Sequence, residues 1–407
     1  MKRIERVRLY PTPKQIERLT FALDVTRELY NAALQERRDA YRRNKTRITG
    51  RQQYAELTDL RAGDARVAAV YRECEDAVLH RLDLAFEAFF RRVKRGETPG
   101  YPRFKRRDRW AQLEFPHGDR ALKFDERQRR VRVPGIGSVK LRKGRRVPQT
   151  YGRAWIVRRC DSWYACFECE RVVTPLEPTG RILGVDRGIA VLAALDDDTR
   201  IANRACGDRN AAKVAAMQRK LEAVTQRDAR GHVLNRRDPQ RSAVAKRLAR
   251  AKAAEADARR DHAHKVARQI VNAADVIGLE VLNLRHTTRS AKGTVEAPGS
   301  NVRAKAGLNR RMLDAGFGLL RQMIVAKAEE AARTVVEVDA RYSSQTCSRC
   351  GHVAAENRRR RRFCCVRCGH RAHADNEAAR EIRRRVELRH LREPNTGVEP
   401  VRVHDAA

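Results

Sequence analysis

The chain is 407 residues long and carries 89 Lys and Arg against 51 Asp and Glu, a formal net charge of +38 with a pI near 10.9. That much like charge repels itself unless a polyanion neutralises it, so nucleic acid is the expected partner. Hydrophobic residues make up 42 % of the sequence, enough for real cores in about two to four domains, and this excludes a disordered basic protein despite a mean hydropathy of −0.69. No apolar run approaches the ~20 residues that span a bilayer. The N-terminus MKRIERVRLYPTP has no continuous apolar segment of signal-peptide type. No membrane partner is expected, and the location should be cytoplasmic with reduced cysteines. Basic residues run through the whole chain instead of forming one amphipathic face, which argues against a lipid surface.

In chain order, the first ten residues alternate as a short strand (Ile4, Val7, Leu9) that Pro11 and Pro13 end. Thr12 caps a helix opening at Pro13, with Ile16, Leu19 and Leu23 on one face. A second, longer helix is predicted from Val67, Val70, Cys74, Val78, Leu82, Phe86 and Phe89, spaced three or four apart; that stripe is core. From Gly96 to Pro116 the composition shifts to a basic, aromatic loop containing GYPRFKRRDRW. Short strands separated by turns follow from about Leu122 to Val173, the pattern of a small β-barrel or sandwich.

The second half reads differently. RILGVD, AVLAALDDD and RIANRA predict three consecutive strands, followed by a helix with Val214, Met217, Leu221 and Val224 on one face. A linker around Gly231 and Pro239 leads to a long basic helix, about Ser242 to Ala274. Then come the strand DVIGLEVL, a loop over 284–308 expected to be mobile, a helix near Met312 to Ala332, and the strand TVVEVDA. Three strands, then helices alternating with two more, is the order of the RNase H-like fold.

Three carboxylates stand out against this background. Asp186 ends Ile182-Leu183-Gly184-Val185, Glu280 ends Val276-Ile277-Gly278-Leu279, and Asp375 opens the helical stretch DNEAAREI. Seen alone, Asp186 before Arg187-Gly188 reads as a turn residue and Asp375 as a helix cap. Glu280 is harder to dismiss, because an acid within VIGLEVL would otherwise be buried without a partner. Together, carboxylates from two strands and a helix supply the hard oxygen ligands that a pair of Mg²⁺ ions needs when a phosphodiester is hydrolysed. Asp339 and Asp196-Asp197-Asp198 are expected in turns or on the surface.

Cys347-Ser-Arg-Cys350 and Cys365-Val-Arg-Cys368 are 14 residues apart, and each pair is followed by Gly-His, a strong zinc pattern. Cys364 could replace Cys365, but the repeated Cys-x-x-Cys-Gly-His frame favours Cys365. Cys166 and Cys169, with Cys160 nearby, sit in a strand-like alternation that points side chains three apart to opposite faces, so they chelate poorly. Cys74 and Cys206 read as buried small apolar residues.

The ordered set RLYPTPKQ, GYPRFK, GVDRGI, GLEVLNL, LNRRMLDAGFG, RYSSQTCSRCGH, CVRCGH and HADNEAA resembles the TnpB family of transposon-encoded nucleases and the miniature type V CRISPR effectors derived from it. The resemblance covers nearly the whole chain. It implies RNA-guided cutting of double-stranded DNA next to a short flanking motif, with catalytic carboxylates at Asp186, Glu280 and Asp375. The implied fold class is multidomain α+β: an RNase H-like (RuvC) α/β nuclease domain with an inserted zinc ribbon, a helical recognition lobe and a small β-barrel wedge. The implied boundaries are 1–11 for the first wedge strand, 12–110 for the lobe, and 111–178 for the wedge. The nuclease domain takes 179–342 and 371–388, the zinc-binding target-nucleic-acid module 343–370, and a disordered tail 389–407.

Expected cofactors are two Mg²⁺ ions on the triad, with Mn²⁺ able to substitute, one structural Zn²⁺ on Cys347, Cys350, Cys365 and Cys368, and a guide RNA. Tyr101, Arg103, Phe104, Lys105, Arg106 and Arg107 are expected to contact nucleic acid, with Trp110 also able to stack on bases, and Arg358, Arg359 and Arg360 to clamp substrate phosphates. The sequence departs from the family at Glu377, where Asn is usual, and at Val281, where an acid is usual. The chief alternative is a guide-directed DNA-binding repressor, and the retained triad argues against it. A structural zinc protein has no use for strand-end carboxylates, and a cut-and-paste transposase fits the fold but not the guided branch.

Overall fold

The computed structural model describes residues 1–392 except 145, 146, 236, 237 and 295. The chain divides into two compact units, Met1–Arg171 and Val172–Ala407.

The first unit opens with β1 (Lys2–Tyr10). Val7 and Leu9 are buried, but Ile4, expected on their face, is 63 % exposed. It occupies an even position in a strand whose odd positions turn inward, so the period of two puts it outside. Helix α1 (Pro13–Asn44) starts on a reciprocal capping box: Thr12 Oγ1 accepts from the Gln15 amide, and Gln15 Oε1 accepts from the Thr12 amide at 3.0 Å. Helices α2 (Gly50–Gly63), α3 (Ala65–Ala68) and α4 (Arg72–Lys94) follow. The apolar stripe from Val67 to Phe89 therefore does not form one helix. Arg61 accounts for the break between α3 and α4. Its guanidinium donates to the carbonyls of Val67, Ala68 and Val70 and pairs with the buried Glu75 carboxylate. Carbonyls satisfied by a side chain need no continuing helix.

After an irregular basic stretch come β2 (Gln112–Phe115), α5 (Gly118–Ala121), β3 (Lys123–Asp125), β4 (Arg130–Val133), β5 (Gly137–Leu141), β6 (Ala154–Arg159) and β7 (Ser162–Glu170). Together with β1 they form a seven-stranded antiparallel sheet in the order β2-β6-β7-β1-β5-β4-β3. The first strand of the chain thus lies in the middle of the sheet, paired with β7 from Lys2↔Glu170 to Leu9↔Trp163. Sheet and helices share one core that includes Leu19, Tyr30, Leu82, Phe115, Ile156 and Phe167.

The second unit holds β8 (Ile182–Asp186), β9 (Val191–Leu195), β10 (Arg200–Ala202), α6 (Cys206–Ala223), α7 (Pro239–Ala273), β11 (Val276–Val281), α8 (Leu284–Thr287), α9 (Val302–Ala315), α10 (Phe317–Glu330) and β12 (Thr334–Asp339). The five-stranded sheet runs β10-β9-β8-β11-β12, with β8, β11 and β12 parallel and β9 and β10 antiparallel. Where the sequence predicts one helix from Met312 to Ala332, there are two, separated by Gly316 in the left-handed region at φ 69°. Helices α8 and α9 also take up both ends of the expected loop over 284–308.

Leu183, Val185, Ile277 and Leu279 pack on α7 and α10 through Ile270, Leu320 and Ile324. The opposite face carries α11 (Ala374–Arg392), whose Ile382 and Val386 meet Ile182, Val276, Val336 and Val338. Gly184 and Gly278 are partners across β8 and β11 beneath this helix. A Cβ on Gly184 would overlap the Ala379 carbonyl, so only a glycine lets α11 lie this close to the sheet. Between β12 and α11 comes a small three-stranded antiparallel sheet of β13 (Arg358–Arg359), β14 (Arg362–Cys364) and β15 (Arg371–His373). Helix α11 continues through the start of the tail expected at 389–407; the rest of that tail, from 393, lies outside the described residues.

Candidate active site and cysteine cluster

Side chains alternate along a strand, so Ile182, Gly184 and Asp186 share the α11 face of β8, and Val276, Gly278 and Glu280 share it on β11. Val185 is partnered with Leu279 in the parallel register, which places Asp186 and Glu280 side by side where the two strands end. The same end of the sheet receives the first turn of α11, which carries Asp375. Asn376, buried beside it, donates through Nδ2 to the Leu195 carbonyl at 2.8 Å and pins that turn to β9. Three carboxylates distant in sequence thus come to the C-terminal edge of parallel strands, the usual location of a site in an open α/β sheet, although among the described residues only the four cysteines below stand close enough together to form a ready set of metal ligands.

Their electrostatics follow from this crowding. Burial first, and then the charges of Glu280 and Asp375, push Asp186 up to about 7 against the opposing pull of Arg358 and Arg187. Burial also raises Glu280, with Arg187 opposing it. Arg187, itself only 5 % exposed, donates to the carbonyls of Glu280 and Phe317 and supplies a fixed positive charge behind the cluster. Arg358 reaches Asp375 Oδ1 at 3.3 Å. Sequence reasoning missed Arg187, although its place directly after Asp186 was a signal. Asp196, expected on the surface, is buried and holds Arg181 and Arg383.

A raised acid binds a proton in the folded chain that the unfolded chain has already released. In Mg²⁺-free buffer, stability should therefore fall as pH rises from the ordinary carboxylate range, about 4, to about 7. Asp186→Asn should flatten that part of a Tm-against-pH curve and raise Tm by a few degrees above pH 7. An unchanged slope would show that this carboxylate ionises as freely as in water.

The four cysteine sulfurs of Cys347, Cys350, Cys365 and Cys368 all lie within 4.8 Å of one another. Cys347 and Cys368 are 3.7 Å apart and Cys350 and Cys365 are 3.6 Å apart. Four thiolates about 2.3 Å from a central ion would sit about 3.8 Å apart, so the set can hold a tetrahedral metal. Cys365 joins the cluster, while Cys364 is exposed. The two halves repeat one geometry: Gly351 and Gly369 have φ 73° and 70°, and their amides donate to the carbonyls of Cys347 and Cys365, each at 2.9 Å. Cys166 and Cys169 are buried in β7. Cys74 is buried, but Cys206, at the start of α6, is only partly so.

Glu377 does not add charge to the acidic edge. It is fully buried and turned toward the cysteine hairpins, accepting from the Ser348 amide at 2.7 Å, with His370 Nε2 at 3.0 Å and Arg380 at 3.5 Å. Two residues after Asp375, this carboxylate joins both cysteine turns to the helix that carries the acid.

The expected nucleic-acid contacts separate in the structure. Trp110 is core, not a stacking platform: it is 4 % exposed, its Nε1 donates to Thr26 Oγ1 at 2.9 Å, and its ring lies 5.4 Å from that of Tyr30. Lys105 is half-buried over the Tyr30 ring, and burial lowers its pKa. Arg106 pairs with Asp108 and Arg107 with Asp24. Tyr101, Arg103 and Phe104 are exposed. Arg359 and Arg360 are exposed at the β13–β14 turn, whereas Arg358 faces Asp375.

Comparison with known proteins follows the same residues. Positions 317–382, with all four cysteines and Asp375, match a family model described as "Cas12f1-like, TNB domain". Positions 164–291, with Asp186 and Glu280, match "Probable transposase", and 1–46 match "Helix-turn-helix domain", although this chain forms a strand and one long helix there. A protein of Escherichia coli (strain K12), "Putative RNA-guided DNA endonuclease InsQ", is 33 % identical over 306 residues, 75 % of this chain and 72 % of that protein. The chain belongs to the TnpB family. A "Putative RNA-guided DNA endonuclease" of Streptomyces pristinaespiralis is 27 % identical over 390 residues, 94 % of this chain and 89 % of the relative. The "CRISPR-associated endodeoxyribonuclease Cas12f1" of Sulfoacidibacillus thermotolerans is 47 % identical over 64 residues, 16 % of this chain and 15 % of that one. The sequence matches to the two proteins described as RNA-guided DNA endonucleases thus take in 75 % and 94 % of the chain, and the sequence match to the CRISPR-associated protein takes in 64 residues.

Proposed function

We propose that this chain is an RNA-guided, Mg²⁺-dependent endonuclease that cuts double-stranded DNA beside a short flanking motif. The observation that carries the reading is the convergence of Asp186, Glu280 and Asp375 on one sheet edge, where the charges of the other two act on Asp186. The burial of Asp186 and Glu280, and the charges of Glu280 and Asp375 on Asp186, make this edge a site that calls for cations, and carboxylate oxygens suit Mg²⁺ or Mn²⁺. Two divalent ions held there would activate the attacking water and stabilise the leaving oxygen. Arg187 fixes the Glu280 backbone, Asn376 fixes the turn bearing Asp375, and Arg358 stands where a substrate phosphate would approach.

In this reading the sheet of the second unit is an RNase H-like (RuvC) nuclease domain over 179–342 and 371–388. Its strand order, central parallel strand and α11 on one face support that assignment. The cysteine hairpins, 343–370, hold one structural Zn²⁺. The antiparallel sheet, 1–11 with 111–178, serves as wedge and 12–110 as recognition lobe. Guide pairing supplies sequence specificity, while the protein reads the flank and holds the heteroduplex by shape and phosphates. The relatives described as RNA-guided DNA endonucleases support guidance by RNA.

The chain should purify with a structured RNA on which DNA binding depends. Affinity should fall by orders of magnitude over a few-fold rise in salt if roughly six to ten phosphates are contacted. The test is a matched linear duplex with a randomised flank, incubated with the copurified complex and resolved by strand. Sequence-preferring cleavage by nuclease-treated protein would sink the guide requirement. Tight binding without cutting across all flanks and metals would assign the chain to guided repression.

A further inference from the structure

Within the first unit, between the C-terminal part of α1 and the segment 99–104, lies an open cavity of about 630 Å³. That volume is in the range of sites for small organic groups. Arg38, Tyr41 and Arg42 line one wall, recurring at three- and four-residue steps on one face of α1, and Tyr101, Arg103 and Phe104 line the other. Among the described residues three arginines line it, and no acidic residue does. Tyr41, Tyr101 and Phe104 stand 60 %, 45 % and 43 % exposed, an unusual amount of aromatic surface to leave in water at one place.

The walls are built, not loose. Asn31 on α1 clasps the Lys105 backbone from both sides, donating to its carbonyl at 3.0 Å and accepting from its amide at 2.7 Å. The Tyr101 ring is set edge-on against Phe86 and Phe89, with centroids 5.7 and 5.4 Å away. Pro99 and Pro102 restrict the backbone on either side of Tyr101. Cations already sit over two of the rings: Arg38 is 5.9 Å from the Phe104 centroid, and the Lys45 ammonium is 5.3 Å from that of Tyr41.

A concave site with aromatic faces and unopposed positive charge fits a flat π system flanked by anions. We propose that this groove receives one unstacked base of a single-stranded RNA or DNA segment, stacked on Tyr41 or Phe104, with its neighbouring phosphates on Arg38, Arg42 and Arg103. A duplex would not use it, since paired bases stack on each other and present only phosphates. An acidic peptide would use the arginines and leave the rings idle. The inference rests on the nucleic-acid reading above but not on cleavage.

The experiment uses full-length protein freed of RNA and an eight-nucleotide pyrimidine oligomer carrying 4-thiouridine, or 4-thiothymidine in the DNA arm. Irradiation should crosslink it to Tyr41 or Phe104, read by peptide mapping, and the two arms show which sugar is accepted. In anisotropy titrations the base-bearing oligomer should bind about tenfold or more tighter than its abasic counterpart. The paired change Tyr41→Ala with Phe104→Ala should erase that difference, and Tyr41→Phe should keep it. Crosslinks confined to other segments, equal loss for both oligomers in the paired variant, or displacement of the crosslink by an acidic peptide at matched concentration would each overturn the proposal. A chain that crosslinks here but never cuts would defeat the nuclease reading alone.

Discussion

Alanine at Asp186, Glu280 or Asp375 should each lower cleavage of a matched duplex by roughly a thousandfold or more in Mg²⁺ or Mn²⁺, while guide-dependent target binding survives. Ions that share ligands are lost together, so removing one carboxylate should disable the site instead of slowing one step. The three residues come from β8, β11 and α11, yet each supplies the same sheet edge, and the charges of Glu280 and Asp375 both act on Asp186. Binding should persist because the contacts that hold a heteroduplex lie elsewhere. Glu377→Asn should retain activity, because the Glu377 carboxylate is turned to Ser348 and His370 and contributes nothing to the acidic edge. An Asp186→Ala variant that cuts at the wild-type rate would refute the assignment of the site.

What the sequence made legible has a common physical basis, and so has what it hid. A run of apolar residues ending in an acid is the signature of a buried parallel strand whose last side chain leaves the core, and β8 and β11 both read that way. The cysteine pairs are legible because a tetrathiolate site is local in sequence, with ligands at fixed offsets from two glycine turns. The hidden features depend on partners far along the chain. The break after α3 comes from Arg61 gathering carbonyls across a turn, and the apolar spacing gives no hint of it. Trp110 looked like part of a basic aromatic loop because its partner, Thr26, is 84 positions away. Asp196 looked like one of three surface acids because Arg383, which neutralises it, is 187 positions away. Gly316 lies inside an apolar pattern that runs through it, so only its left-handed backbone separates α9 from α10.

Serine at Cys347, Cys350, Cys365 or Cys368 should release the single bound zinc and unfold the segment over 343–373. Apparent zinc binding in short modules amounts to about 10–16 kcal/mol. The cluster here has little else: among the described residues, Phe363 and Ala374, with Ala372 packed alongside, share one small apolar cluster with its cysteines. Cleavage should fall with the metal although none of the three carboxylates is touched. Strand β15 runs directly into α11, and Glu377 ties the turns at Ser348 and His370 to the helix that carries Asp375. Serine at Cys364, Cys166 or Cys169 should leave zinc content unchanged, since these sulfurs stand outside the cluster. Elemental analysis with hydrogen exchange over 343–373 separates the outcomes. Two zinc ions per chain, or one that survives Cys347→Ser, would overturn the ligand set. Zinc lost with Asp375 activity intact would keep the ligand set and remove the coupling, because the carboxylate would then hold its place without the hairpins beneath it.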